Sequence, residues 1–463
     1  VTEAALRGLV AGAEVHVPVR DGERRYVNLD NAASPPPFGR VLEAVQRFAP
    51  WYANVHRGTG FKSRLSTWAL EEARAAIGRF VGADPESDVV VLTRNATGAL
   101  NRIARRVRAD LGNDGVVLAT VMEHHSNDLP WRDVAPVEYI PVDRCGRLDD
   151  DQLRRRLRRG GVGVLAVTAA SNVTGIVNPV HTYARWAHQA GARIVVDAAQ
   201  LVPHRPLDVR SPDDPEHLDF VAFSAHKLYA PFGVGVLVGP RALLGRGAPD
   251  EVGGGTVDSV GLDHVDWAGL PDREEAGTPC VIGAVALAAA IRVYADLGWD
   301  AIVAHEDALT ARALAALAGV PDLTLYGDAG ASAGGRLGVL AFNLAGLPHG
   351  LVAAILAHEW GIGTRSGCFC AHPYVKALLG VSDAEAEAQA ARLRAGDRRD
   401  LPGAVRVSLG VYNTAGDLER LDEALHAIAA GRHGADYALD PASGEWRAAS
   451  DAAGRDFAAY CPV

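Results

Sequence analysis

Lysine is almost missing from this chain. Of 46 basic residues only three are Lys, namely Lys62, Lys227 and Lys376. Arg cannot lose its proton in a protein, so any chemistry that needs a neutral amine has only these side chains to draw on. Cysteine is sparse as well. Cys145, Cys280, Cys368, Cys370 and Cys461 are odd in number and lack disulfide-framework spacing, which points to a reducing, cytoplasmic setting. There is no excess of positive charge. The formal net charge is −10, which argues against general nucleic-acid binding and against adhesion to anionic membranes. No run of about 18 apolar residues occurs, so no membrane span is expected. Val1–Val19 lacks a basic stretch followed by an apolar core, so no signal peptide is expected. Internal repeats are absent. Gly233–Gly239 lacks the GxGxxG spacing of a nucleotide loop and reads as a strand.

What the chain does have is 463 residues that are 48% hydrophobic. That is ample for a buried core and excludes a disordered chain. Short apolar runs at Val89–Leu92, Val116–Val121, Val164–Thr168, Ile194–Val196 and Phe220–Phe223 alternate with helical patterns such as Tyr183–Ala190. This alternation predicts an α/β fold with a large, mostly parallel sheet covered on both faces. Leu70, Ala73, Ile77 and Phe80–Val81 recur at helical spacing and stop at Gly82. The second half changes character. Val281–Tyr294 and Leu351–Trp360 read as helices, while Thr324–Tyr326, Val339–Asn343 and Arg406–Leu409 read as short strands. Thr414 and Asp417 have capping-box spacing before a helix that reaches Ile428. The expected organisation is an N-terminal arm over 1–28 packing with the small domain and a large domain over 29–285. A small α+β domain follows over 286–463, with a solvated insertion at 381–403 and a tail at 431–463. Arg154–Arg159 reads as a solvated helix face.

Ligands of such sheets bind beyond the carboxyl ends of the strands. Two strand ends there carry opposite charge: Val195–Val196–Asp197, and Phe220–Ser224 followed by Ala225, His226 and Lys227. An isolated Asp and Lys would read as a salt bridge. Here the amine follows an apolar strand, and a desolvated amine loses its charge more easily and becomes a nucleophile. Arg94–Asn101 follows a strand and opens a helix, which makes an anion site.

Several ordered motifs carry a resemblance over about Tyr26–Ile428. They are Leu29–Ser34 (LDNAAS), Asn54–Gly58, Glu123–Asn127 (EHHSN), Ser171–Gly175, Asp197–Gln200, Ser224–Lys227, Glu275–Pro279 and Arg406–Thr414. Together they resemble the class V aminotransferase-type enzymes, in the cysteine desulfurase and selenocysteine lyase branch. The resemblance implies a homodimer of the aspartate-aminotransferase-like fold, fold type I, that depends on pyridoxal 5'-phosphate (PLP). It implies that Lys227 holds the cofactor and shuttles the α-proton, that Asp197 pairs with the ring nitrogen, and that His124 stacks on the ring and serves as acid or base. Asn172 and Gln200 would hydrogen-bond the phenolic oxygen. Ala96, Thr97, Ser224 and His226 would hold the phosphate, with Thr278 reaching the partner subunit's phosphate. Relatives tend to carry two Thr where this chain has Ala96–Thr97, so backbone donors would carry more of the load. Arg406 would bind the substrate carboxylate bidentately, with Asn172 and His56 also at the substrate.

Thr364–Pro373 resembles the desulfurase cysteine loop, with Cys370 as the nucleophile that takes sulfur from L-cysteine, leaving L-alanine and a persulfide for a possible acceptor protein. A thiolate does that attack, and Arg365 and His372 are the basic groups nearby in sequence. Cys368 either relays sulfur or packs, and packing is favoured. Cys368, Cys370 and His372 alternate as zinc ligands could, but no paired motif supplies a fourth, so no metal is expected. Two other readings stand beside this one. One is a related PLP enzyme acting on another amino acid as a C–S lyase, epimerase or aminotransferase. The other is a non-catalytic sulfur carrier or scaffold.

Overall fold

Seven strands pair into one sheet: β1 (Asp88–Thr93), β2 (Val116–Thr120), β3 (Val137–Ile140), β4 (Val162–Thr168), β5 (Arg193–Asp197), β6 (Phe220–Ser224) and β7 (Gly235–Pro240). The spatial order is β1-β7-β6-β5-β4-β2-β3. Only β7 runs against its neighbours β1 and β6. The computed structural model describes residues 2–111, 115–328, 334–449, 457 and 460, so Cys461 and most of the end of the tail lie outside the described residues.

The alternation of side chains along each strand feeds two cores. Leu118, Leu165, Val196, Val221 and Phe223 join one, and Val117, Ala119, Val164, Ala166, Val195 and Phe220 join the other. Burial on both faces is why these strands read as nearly unbroken apolar runs. Helix α1 (Phe61–Phe80) buries Leu70, Ala73 and Ile77 and ends before Gly82, whose φ of 67° suits a residue without Cβ. Helix α2 (Ala96–Leu111) caps the second core, and α3 (Val180–Gln189) lies on the other face.

Helix α4 (Val281–Leu297) spans residue 285, yet its buried side chains belong to the first core of the large sheet. By core membership the division between lobes therefore falls after this helix. A third core gathers Leu309, Ala313 and Leu317 of α5 (Trp299–Gly319) with Leu340, Phe342, Val405 and Val407. Those last four lie in a four-stranded antiparallel sheet of β8 (Leu323–Tyr326), β9 (Val339–Leu344), β10 (Arg365–Gly367) and β11 (Ala404–Ser408), in the order β8-β9-β11-β10. Val27 and Leu29 join the same core, and Val27–Asn28 pairs with Ile362–Gly363. Arg25 and Arg7 donate to Asp417 at 2.6 and 3.3 Å, so the first residues are tied to this lobe.

Helix α6 (His349–Trp360) covers the small sheet. Beyond the cysteine loop, α7 (His372–Leu379) leads into α8 (Asp383–Arg394), which buries no residue and is capped by Ser382 and Glu385. The capping spacing at Thr414 opens α9 (Ala415–Ala429), where the Asp417 carboxylate accepts the Thr414 N–H at 3.1 Å. Among the described residues no single helix is long and apolar enough to cross a membrane.

Candidate active site

Because β1, β2, β4, β5 and β6 all point the same way, their carboxyl ends deliver side chains to one edge of the sheet. Lys227, His226 and Ser224 come from the end of β6, Asp197 and Gln200 from β5, Asn172 from β4, His124 from β2, and Ala96 with Thr97 from β1. The small lobe adds Arg406 from β11 and Arg365, Phe369 and Cys370 from the β10 side. All of these line one cleft of about 300 Å³.

Lys227 Nζ donates to Gln200 Oε1 at 3.4 Å. Burial lowers this amine to about 8, against the pull of the Asp197 charge, and Arg406 adds to the lowering. Asp197 is buried, and burial raises its carboxyl. Its Oδ1 accepts the Ala199 N–H at 3.0 Å, and among the described residues Oδ2 takes no hydrogen bond. His124 accepts the Ser126 N–H on Nδ1 at 3.1 Å. Burial lowers the imidazole to about 3, with Lys227, His125 and Arg406 acting the same way. The ring is therefore neutral, and an Nδ1 that accepts leaves the proton on Nε2. Glu123 steadies the turn that carries it. It accepts Thr120 Oγ1 at 2.7 Å, Asn127 Nδ2 at 2.6 Å and Thr168 N at 2.9 Å.

In the same cleft, Ser224 Oγ accepts the Ala96 N–H at 2.7 Å, and Thr97 Oγ1 lies 2.7 Å from Ser126 Oγ. Two hydroxyls thus stand at the N-terminus of α2, where helix amides and the macrodipole favour an anion. Burial lowers His226 to about 4, with Lys227 adding to the effect.

Arg406 is only 3% exposed. Its Nη2 donates to Asp30 Oδ1 at 2.9 Å and Nη1 to the Asn172 carbonyl at 2.9 Å, while Nε has no partner among the described residues. Its guanidinium sits 5.0 Å from the Phe369 ring centroid. Asp30 also accepts Arg365 at 2.7 and 3.0 Å, so one carboxylate serves two guanidinium groups. Asp30 belongs to the LDNAAS motif, but the sequence reading assigned it no role. A buried Arg needs a counter-charge, and that need was the available signal. Ser126, which bonds both His124 and Thr97, was missed in the same way.

The cysteine loop is a tight turn closed by Ala371 N–H to Cys368 O at 2.8 Å. Its central residues, Phe369 and Cys370, have φ of 53° and 55°. Two successive left-handed residues usually call for Asn-Gly, and a side chain there costs roughly 1–2 kcal/mol each. Neighbours hold the turn in place. The His125 N–H donates to Cys370 O at 2.7 Å, and Asn172 Nδ2 donates to Phe369 O at 2.8 Å. Cys370 is exposed and faces the cleft. Lys227, Arg365 and Arg406 line the same cleft. Cys368 faces the other way, into a separate cavity of about 730 Å³ walled by α8 and by Trp446 of the tail hairpin. There it donates to Pro402 O at 3.0 Å, and burial pushes its thiol up to about 11.

Three expected residues stand apart from this arrangement. His372 pairs with the ring of His125 at 2.9 Å and stacks on it. Thr278 is exposed and lines a different cleft beside Arg94 and Cys280. His56 is exposed with φ of 68° and does not line the cleft of its own chain.

The cleft suits PLP part by part. It offers an amine of lowered basicity, a buried carboxylate with one oxygen lacking a donor, a neutral imidazole and an anion site. Among the described residues, Asn172 Nδ2 keeps one hydrogen for the cofactor and Gln200 Nε2 keeps both.

Residues 27–421 match the model of the class-V aminotransferases. A cysteine desulfurase from Dickeya dadantii is 37% identical over 86% of this chain and 91% of its own length. One from Haloferax volcanii is 33% identical over 88% and 90%. Among solved structures, a cysteine desulfurase from Thermococcus onnurineus superposes with a TM-score of 0.78 at 31% identity, covering 88% of this chain and 95% of that one. One from Escherichia coli gives 0.77 at 31%, covering 94% and 100%.

Proposed function

Since this chain belongs to the class-V aminotransferase family, in its cysteine desulfurase branch, we propose that it converts L-cysteine to L-alanine and keeps the sulfur as a persulfide on Cys370. One observation carries the reading: Cys370 lines the same cleft as Lys227, Asp197 and Arg406. Members of the family depend on PLP, which when bound supplies an electron sink for the charge that develops at the substrate Cα.

The remaining work falls to side chains. Lys227 would anchor the cofactor through Nζ and, once released, would take a proton from Cα and later return one there. An amine lowered to about 8 can do this near neutral pH. Asp197, whose Oδ2 takes no hydrogen bond among the described residues, would receive the ring N–H and keep it protonated. Thr97, Ser224, His226 and the Ala96 end of α2 would hold the phosphate. His124, with its proton at Nε2, would stack on the ring. Arg406 takes the substrate carboxylate and so orients Cβ–Sγ toward Cys370. The Cys370 thiolate then attacks the substrate sulfur. A sulfur–sulfur bond forms, the Cβ–S bond breaks with its electron pair left on the carbon side, and protonation there yields the methyl group of alanine.

The reading extends to a homodimer in which Thr278 and His56 serve the partner's cleft, to a sulfur-acceptor protein, and to a cytoplasmic setting that tolerates free thiols. Exposure of Thr278 and His56 away from their own cleft supports the first of these. The deciding experiment incubates pure protein with a panel of amino acids and a reductant, and assays alanine, sulfide and keto acids together. Equal alanine and sulfide from cysteine are expected. Keto acid without alanine would replace this reading with a β-eliminating lyase.

Two further outcomes are expected. The rate at which apoprotein captures PLP should rise about tenfold from pH 7 to pH 9 and level off, because an amine near 8 passes from about a tenth to about nine tenths neutral. An ordinary lysine would instead gain about a hundredfold with no plateau. Stopped-flow absorbance across that range distinguishes them. Second, Asp30→Asn should cost about 3 kcal/mol of stability, since it strips the buried Arg406 of its counter-charge. A carboxylate ligand can replace that charge. Thermal melts with and without L-alanine should therefore show a larger ligand-induced rise in the variant than in the parent.

A further inference from the structure

The edge of the large sheet opposite the cleft carries a second cluster. His188 ends α3, while His217 and Asp219 lead into β6. One potential ligand atom from each lies within 4.8 Å of the others. Asp219 is held in place by the Ile194 N–H, which donates to Oδ2 at 2.8 Å.

The hydrogen-bond logic of His188 is unusual. Its Nδ1 lies 2.9 Å from the Pro215 carbonyl, which can only accept, so Nδ1 carries a hydrogen. In the neutral ring that leaves a lone pair on Nε2, and Nε2 lies 2.9 Å from Asp219 Oδ2, a second acceptor. Either a proton or a metal ion has to stand between them. A proton explains this pair alone. It does not explain His217, which is 9% exposed, stacks on His188 at 5.3 Å, and has no hydrogen-bond partner for its ring nitrogens among the described residues. A backbone carbonyl on the far nitrogen of a histidine is the usual outer support of a metal ligand.

We propose that His188 Nε2, His217 and Asp219 Oδ2 form a divalent transition-metal site suited to zinc, with water completing a tetrahedron. Two imidazoles and one carboxylate are a borderline donor set of the kind zinc accepts, and three protein ligands leave one position open. Arg193 Nη1 is 3.8 Å from the other oxygen, Oδ1, on a side chain 39% exposed, so it can stay clear of the ion. Metal binding displaces the proton, if any, from His188 Nε2. The ion would tie the end of α3 to the start of β6, the strand whose far end carries Lys227. β6 spans about 16 Å, so the ion stays out of the reaction. No spacing in the sequence announced the site, because its ligands come from two elements.

The test uses holoenzyme carrying Cys368→Ser and Cys370→Ser, which removes the thiols of the cysteine loop as competing ligands. Calorimetric titration with Zn²⁺ should give one ion per chain, and Co²⁺ should develop the visible absorption of a tetrahedral N/O site. His217→Ala and Asp219→Asn should each weaken binding more than about tenfold. His217→Ala in the otherwise native enzyme should lose the Zn²⁺-dependent rise in melting temperature while cysteine turnover is unchanged. Absence of stoichiometric binding, or unchanged affinity in His217→Ala, would overturn the proposal. The readout is binding and melting, so it stands or falls apart from the desulfurase reading.

Discussion

Lys227→Ala protein is expected to lose cysteine turnover by at least about 10³-fold, the range for losing a positioned acid–base group, compounded by loss of the covalent anchor. Burial has already removed most of this amine's preference for its charged form, against the pull of the Asp197 charge. No other lysine can substitute. Lys62 lies on the exposed start of α1, and Lys376 lies on α7, lining the cavity behind Cys368. Lys227→Arg should be as inactive as the alanine variant, because it keeps the positive charge but cannot release the proton. That comparison separates loss of a charge from loss of a base. Borohydride reduction of the holoenzyme, followed by peptide mapping, should place the cofactor on Lys227 alone. Label on Lys62 or Lys376, or activity in Lys227→Arg, would overturn the assignment.

Cys370→Ala is expected to lose alanine and sulfide formation by about 10³-fold or more, as when other enzymes lose their nucleophile. Cofactor binding and reductive trapping on Lys227 should be intact. Cys370 is exposed and lines the cleft with the cations Lys227, Arg365 and Arg406. Cys368→Ala should stay within a few-fold of the parent. Its thiol faces the rear cavity, donates to Pro402 O and is pushed up to about 11, so little thiolate exists near neutral pH. Parallel alanine and sulfide assays on the two variants decide the matter. If Cys370→Ala still makes alanine at the parent rate, the persulfide step is wrong. If Cys368→Ala is the dead variant, the two thiols exchange roles.

Much of this site was legible in the chain because strand ends are local features. An apolar run followed by Asp197, or by Ser224–Lys227, identifies both the strand and the side it opens to, and parallel strands share that side. The antiparallel return of β7 was legible only as an added strand; its direction needs its partners. The role of Asp30 was not legible, because the two guanidinium groups it serves lie hundreds of residues away. Nor was the division of labour between Cys368 and Cys370. Alternation on an extended chain puts them on one face, whereas two left-handed residues at Phe369 and Cys370 turn them to opposite sides. His125, in the EHHSN motif, reads only as a structural residue; its hold on the loop was not legible, since it acts through its backbone N–H.

By itself the sequence determined the fold class, the strand ends that carry the amine and the carboxylate, and, through near absence of lysine, which amine could serve. Those follow from local periodicity and from chemistry that few residue types can perform. Only the tertiary structure decided which charges neutralise one another, which cysteine meets the cleft, and that two histidines and an aspartate converge at the far edge of the sheet. Such relations depend on distances between segments remote in the chain, and packing of the two lobes, rather than any local pattern, sets them.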